Sequence, residues 1–86
     1  MPVAWSRENL DRATTAEVAE MAQAALESLA QRTDPEAFVH LLGLAQTNGE
    51  CLGVSARTLA EHGSWSGVAA AAGTTKQAAW SRWSRH

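Results

Sequence analysis

Ser64-Trp-Ser-Gly-Val-Ala-Ala-Ala-Ala-Gly-Thr-Thr-Lys-Gln-Ala-Ala-Trp-Ser-Arg-Trp-Ser-Arg-His86 is the stretch on which the reading of this chain turns. Trp65 to Ala72 favours a short apolar helix. Gly73 sits where a turn needs a backbone conformation that ordinary residues resist, and Thr75 can cap a second helix beginning at Lys76. On the first helix Val68 and Ala69 face inward, and the small Ala69 lets the second helix cross closely. On the second, Ala79 and Trp83, four residues apart, make the inward stripe. Lys76, Gln77, Trp80, Ser81 and Ser84 then lie mostly on the opposite side. The stretch carries three basic residues, Lys76, Arg82 and Arg85, and no acid.

Upstream, Asp34-Pro35-Glu36 is a helix start: an N-cap, a proline at the first helical position and an acid near the positive end of the dipole. Asn48-Gly49 is a pair that often ends helices. Phase decides against a break there. Phe38, Leu42, Ala45, Gly49, Leu52, Ala56 and Leu59 keep an unbroken four-three alternation through it, which a turn would normally reset. One helix over 34–62 is therefore expected, weakened locally by about 1 kcal/mol for the glycine; two helices joined at Asn48-Gly49 are the alternative. Leu52, Ala56 and Leu59 would form the floor beneath the C-terminal helices. Gly63 is placed to end the long helix, and Ser64 or Ser66 to cap the next.

Thr14-Thr15-Ala16-Glu17 is a capping-box pattern opening a helix over 14–32, with Val18, Ala22, Ala25 and Leu29 as its apolar stripe and Met21 and Leu26 beside it. Residues 1–13 form an arm or a short helix, anchored by Trp5. The expected fold is all-α and a single small domain: an N-terminal helix, a long central helix and a C-terminal helix-turn-helix over 64–86.

The net charge of −2 alone argues against a nucleic-acid partner, but its distribution reverses that. Nine acids against four arginines leave residues 1–62 at −5, whereas three basic residues and no acid leave 63–86 at +3. Phosphate attraction depends on the local patch, so a basic end on an acidic body can still dock on a duplex. In such a motif the N-terminal turn of the second helix meets the base edges. Gln77 can bond adenine through two atoms, and Lys76 can reach the acceptors of guanine. Lys76, Gln77 and Ser81 are the candidate base contacts. Ser66, Thr75, Trp80, Arg82 and Arg85 are the candidate phosphate contacts. For Arg82 a salt bridge to the acidic body is an equal alternative, and for Arg85 a solvated tail. Trp80, a tryptophan on the polar side, also suits a dimer contact or packing on the N-terminal arm. Trp65 and Trp83 read as core anchors.

Ser64-Trp65, the small-residue run Val68 to Ala72, Gly73-Thr74-Thr75, Lys76-Gln77-Ala78-Ala79 and Arg82-Trp83 together resemble a helix-turn-helix frequent in small actinobacterial proteins and phage regulators. The likeness covers about 20 residues, with one departure: Thr74 stands where Val or Ile is usual. It implies sequence-specific binding of double-stranded DNA in transcription control, with a recognition helix over about 75–85 in the major groove. One such helix reads few base pairs, so a homodimer on two half-sites is expected, with the 14–32 helix available for pairing. The alternative is a protein-interaction module, an adaptor to a sigma factor or repressor, using the N-terminal helices. A glycine between alanine-rich helices also serves ordinary bundles.

Other chemistries find no footing in these residues. No catalytic grouping of Ser, His and acid, no Gly-rich phosphate loop and no paired carboxylates emerge, and the small core leaves little room for a small-molecule ligand. No cofactor and no enzyme activity are expected. His40, Cys51 and His62 are spaced by 11 residues, about 16 Å along a helix, far too long for shared metal coordination. Cys51, the single cysteine, reads as a small half-buried helix residue. No apolar run reaches the roughly 20 residues of a membrane span and no basic-then-apolar leader opens the sequence, so a cytoplasmic, nucleoid-associated protein is expected.

Overall fold

A computed structural model describes residues 6–85 and is all-α. Its helices are α1 (Arg7–Arg12), α2 (Thr15–Ala30), α3 (Pro35–His62), α4 (Trp65–Ala72) and α5 (Lys76–Trp83), with no strand among the described residues. Contacts divide the chain into two compact units, Met1–Leu41 and Leu42–His86, with the boundary inside α3.

In the first unit the helices begin where local chemistry starts them. Ser6 caps α1, its hydroxyl accepting the Asn9 N–H at 3.1 Å. The expected capping box opens α2: the Glu17 N–H donates to Thr14 Oγ1 at 3.1 Å, and the Thr14 N–H donates to Glu17 Oε1 at 2.8 Å. Bonds to the Glu17 carboxyl from the Thr14 backbone N–H and, second, from the Thr14 side chain hold that carboxyl below its ordinary range. Residues 7–12 are thus a short helix; the Trp5 anchor lies outside the described residues. α2 stops at Ala30 with Gln31 as C-cap, two residues short of the expected end. No residue of α2 is buried. Val18 and Leu29 are half-buried, while Ala22 and Ala25 are exposed together with Met21 and Leu26. Ala37, in the first turn of α3, is the buried hydrophobic residue among the described residues of this unit.

α3 begins at Pro35 and runs unbroken through Asn48-Gly49, as its phase requires. A loss of about 1 kcal/mol at one glycine does not outweigh propagation on both sides of it.

In the second unit α4 and α5 pack on each other and on the C-terminal half of α3. Ala56, Val68, Ala69 and Ala79 form the buried cluster, with Ala60, Trp65 and Trp83 packed against it. Ala79 is fully inaccessible and Ala69 nearly so, because only methyl-sized side chains let helices approach this closely. The floor follows expectation at Ala56 and departs from it at the leucines. Ala56 and Ala60 supply it, while Leu52 and Leu59 stay 47% and 45% exposed at the edge of an apolar groove. Close contact along the alanine row leaves the flanking leucines outside the seam.

Candidate nucleic-acid interface

Ser64 starts α4, its hydroxyl accepting the Gly67 N–H at 3.2 Å; of the two serines proposed for this cap, Ser64 takes it and Ser66 lies exposed in the first turn. Gly73 ends the helix in the left-handed region at φ 70°, and the Thr74 N–H donates to the Ala69 carbonyl at 3.0 Å. That six-to-one bond satisfies an orphan carbonyl and turns the chain sharply. Thr74, where the resembling motif has Val or Ile, is exposed and holds the turn through this backbone bond instead of a buried side chain. Thr75 then caps α5, its Oγ1 accepting the Ala78 N–H at 3.1 Å.

The turn fixes which face of α5 is free. Ala79 and Trp83 point inward, while Lys76, Gln77, Trp80, Ser81 and Arg82 are exposed. Gln77 and Ser81 therefore lie on the open side of the helix, while Lys76 is exposed in the first turn on the same stripe as Ala79 and Trp83. Trp80 is 51% exposed beside them, a large aromatic surface not drawn into the core. The helix ends at Trp83 with Ser84 as C-cap, so it is shorter than the 75–85 expected, and Arg85 lies beyond it. Ser84 is half-buried, not on the open face.

The charged residues from 63 onward are all basic, and Glu50 of α3 lines one depression with Arg82 and Arg85. The ion pairs among the described residues are Arg12–Glu8 at 2.9 Å and His40–Glu36 at 3.5 Å, both within single helices. Lys76, Arg82 and Arg85 take part in neither, and the alternative of an Arg82 bridge to the acidic body is not realised. Arg82 instead places its guanidinium carbon 5.3 Å from the centre of the Trp83 ring, a cation–π contact that limits how far the side chain ranges.

One residue that matters here was counted in the sequence only as part of the acidic body. Arg57 Nη1, projecting from α3, donates to the Trp83 carbonyl at 3.1 Å and the Arg85 carbonyl at 2.7 Å. A cation thus meets the negative end of α5 and satisfies carbonyls the helix cannot. Gly53, one turn earlier, leaves the space: a Cβ there would stand 3.1 Å from Arg57 Nη1. The only sequence signal was glycine four residues before arginine, too common to interpret.

No group of three or more metal-ligating side chains occurs among the described residues, and His40, Cys51 and His62 stand along α3 without converging. Cys51 is exposed instead of half-buried, because the seam with α4 and α5 runs through Ala56 and Ala60. Among the described residues no helix is long and apolar enough to cross a membrane. No protein-family model, curated protein or solved structure matches the chain.

Proposed function

We propose that this chain is a sequence-specific DNA-binding transcriptional regulator that acts as a homodimer, with α5 entering the major groove. The observation that carries the reading is the exposed face of α5. Gln77 and Ser81 stand free on a helix seated through Ala79 and Trp83, Lys76 is exposed in its first turn, and the chain from residue 63 onward holds cations but no acid. On this reading Lys76, Gln77 and Ser81 meet base edges. Ser66, Thr75, Trp80, Arg82 and Arg85 meet the sugar-phosphate backbone and set the register. The acidic N-terminal half lowers affinity for DNA in general, so the α5 surface dominates docking. The protein would work in the cytoplasm at the nucleoid, with no cofactor and no catalysis.

Selection of bound fragments from random duplex DNA, followed by fluorescence anisotropy on the selected site, tests this directly. Lys76→Ala with Gln77→Ala should weaken binding to that site by about 10- to 100-fold, the loss of one to two specific contacts. Six cations per dimer predict a slope of about −5 in log affinity against log salt. Wild-type affinity in the double variant would sink the assignment.

The exposed apolar residues Met21 and Leu26 on α2, and Phe38 and Val39 on α3, favour a second reading in which another protein is the partner. A variant with α5 altered that still captures a defined regulator would support it.

A further inference from the structure

Gly49, Gly53 and Arg57 follow one another at four-residue steps along α3, so they share one stripe of that helix. The Arg57 guanidinium folds back over Gly53, which accounts for that glycine within the molecule. Gly49 has no such account, because nothing lies within 4 Å of a Cβ built there. Glycine is a poor helix former in a helix interior, and one of its uses is to let a ligand approach the backbone closely. Both glycines line a depression of about 590 Å³. That volume is typical of small-molecule sites. The depression lies on the surface, between α3 and the end of α5, so the small alanine core does not limit it.

Its lining carries charge from three places in the fold. Arg57 comes from α3, Arg82 from the last turn of α5 and Arg85 from beyond that helix, with Glu50 of α3 beside them. None of the four takes part in an ion pair among the described residues. Arg57 commits Nη1 to the Trp83 and Arg85 carbonyls, while its Nη2 and Nε make no hydrogen bond among the described residues. Three arginines against one glutamate leave the depression at +2.

That sum selects the anion. A phosphate monoester carries about −1.5 to −2 at neutral pH, whereas each phosphodiester of a DNA backbone carries a single charge. Guanidinium forks match phosphate oxygens, donating hydrogen bonds in pairs. A carboxylate only accepts, so Glu50 suits a hydroxyl on the same ligand and disfavours a bare anion. We propose that the depression binds a small hydroxyl-bearing phosphate monoester, of the sugar-phosphate class. Arg57, Arg82 and Arg85 hold its phosphate, Glu50 accepts from a hydroxyl, and Gly49 lets it lie against α3. Binding itself is independent of the DNA reading. Its regulatory consequence rests on that reading: the ester takes Arg82 and Arg85 from the duplex backbone and so weakens DNA binding.

Calorimetric titration of the full chain with ribose-5-phosphate, inorganic phosphate and ribose, without DNA, tests the site. Ribose-5-phosphate should bind once per chain and at least about tenfold tighter than inorganic phosphate, and ribose should not bind. Gly49→Leu fills the open place with a better helix former, so thermal stability should hold or rise while ester affinity falls at least about tenfold. Arg82→Gln with Arg85→Gln should lower ester affinity by a similar factor, and Glu50→Ala should bring the ester-to-phosphate ratio toward one. Absence of saturable ester binding would overturn the proposal, as would wild-type affinity in folded Gly49→Leu. Wild-type affinity in the double-glutamine variant overturns it even if Gly49→Leu fails to fold. On the selected duplex, the ester should weaken wild-type binding and leave Gly49→Leu unaffected. Loss of duplex binding in Gly49→Leu, with no ester bound by wild type, would give the depression to the DNA backbone instead. Failure of the DNA selection with the calorimetry intact would remove the DNA reading and leave the site standing.

Discussion

α2 is twice as long as α4 or α5, has the better cap and follows a clear apolar stripe, yet it buries nothing; α4 and α5, at eight residues each, hold three of the four residues in the buried cluster. What separates them is the size of the residues at the contact, not helical pattern. Val68, Ala69 and Ala79 are small enough for two backbones and α3 to close on one another. The stripe on α2 leaves Ala22 and Ala25 exposed and Val18 and Leu29 half-buried, with Met21 and Leu26 beside it 39% and 41% exposed. Amphipathicity states which face is available for burial; contact size states whether a short chain can close over it.

The sharpest way to break this contrast is one substitution made in both places. Ala79→Leu inserts three carbons where no accessible surface remains, and should cost about 3 kcal/mol or prevent α5 from seating. Ala25→Leu on α2 should change stability by less than about 0.5 kcal/mol. Urea denaturation midpoints check both, and equal costs would show that α2 is as tightly packed as α5.

A smaller effect is expected at Arg57. Arg57→Met keeps most of the stem and removes the donor to Trp83 and Arg85, and should destabilise by about 1–2 kcal/mol. Amide exchange should rise in the last turn of α5 while α2 is unaffected. Uniform protection along α5 would show that the guanidinium contributes nothing to holding it.

The smallest effect belongs to the exposed cap of α2. The Thr14 bonds lower the folded-state pKa of Glu17, so their contribution is present above the unfolded-state value and is lost as pH falls through the folded one. Carbon-detected titration should place the Glu17 midpoint below the reference value of 4.5. Helicity should fall in α2 before α5 on acidification, since α5 carries no carboxylate.

Much of the fold was legible because it is local. The Thr14–Glu17 box, the Pro35 start, the Gly73 stop and the Thr75 cap each act within a few residues, and the phase through Gly49 is a property of one helix. The free face of α5 followed from the same periodicity. Two features were not legible, and both are tertiary. Leu52, Ala56 and Leu59 were expected to share the floor, but the close helix approach keeps Ala56 there and leaves the two leucines exposed. Arg57 reaches carbonyls 26 and 28 residues away, a link to which neither residue type nor spacing points.

α5 is held at both ends, by the Thr75 hydroxyl at its first turn and by the Arg57 guanidinium at its last. A ligand that meets it therefore meets a helix already ordered. An eight-residue helix left to itself would be mostly coil, and ordering it on contact would draw roughly 1–2 kcal/mol per residue from the interaction. With both ends fixed beforehand that entropic charge is absent. Binding at α5 should then show a heat-capacity change set by the contact area alone, without the larger change that accompanies coupled folding.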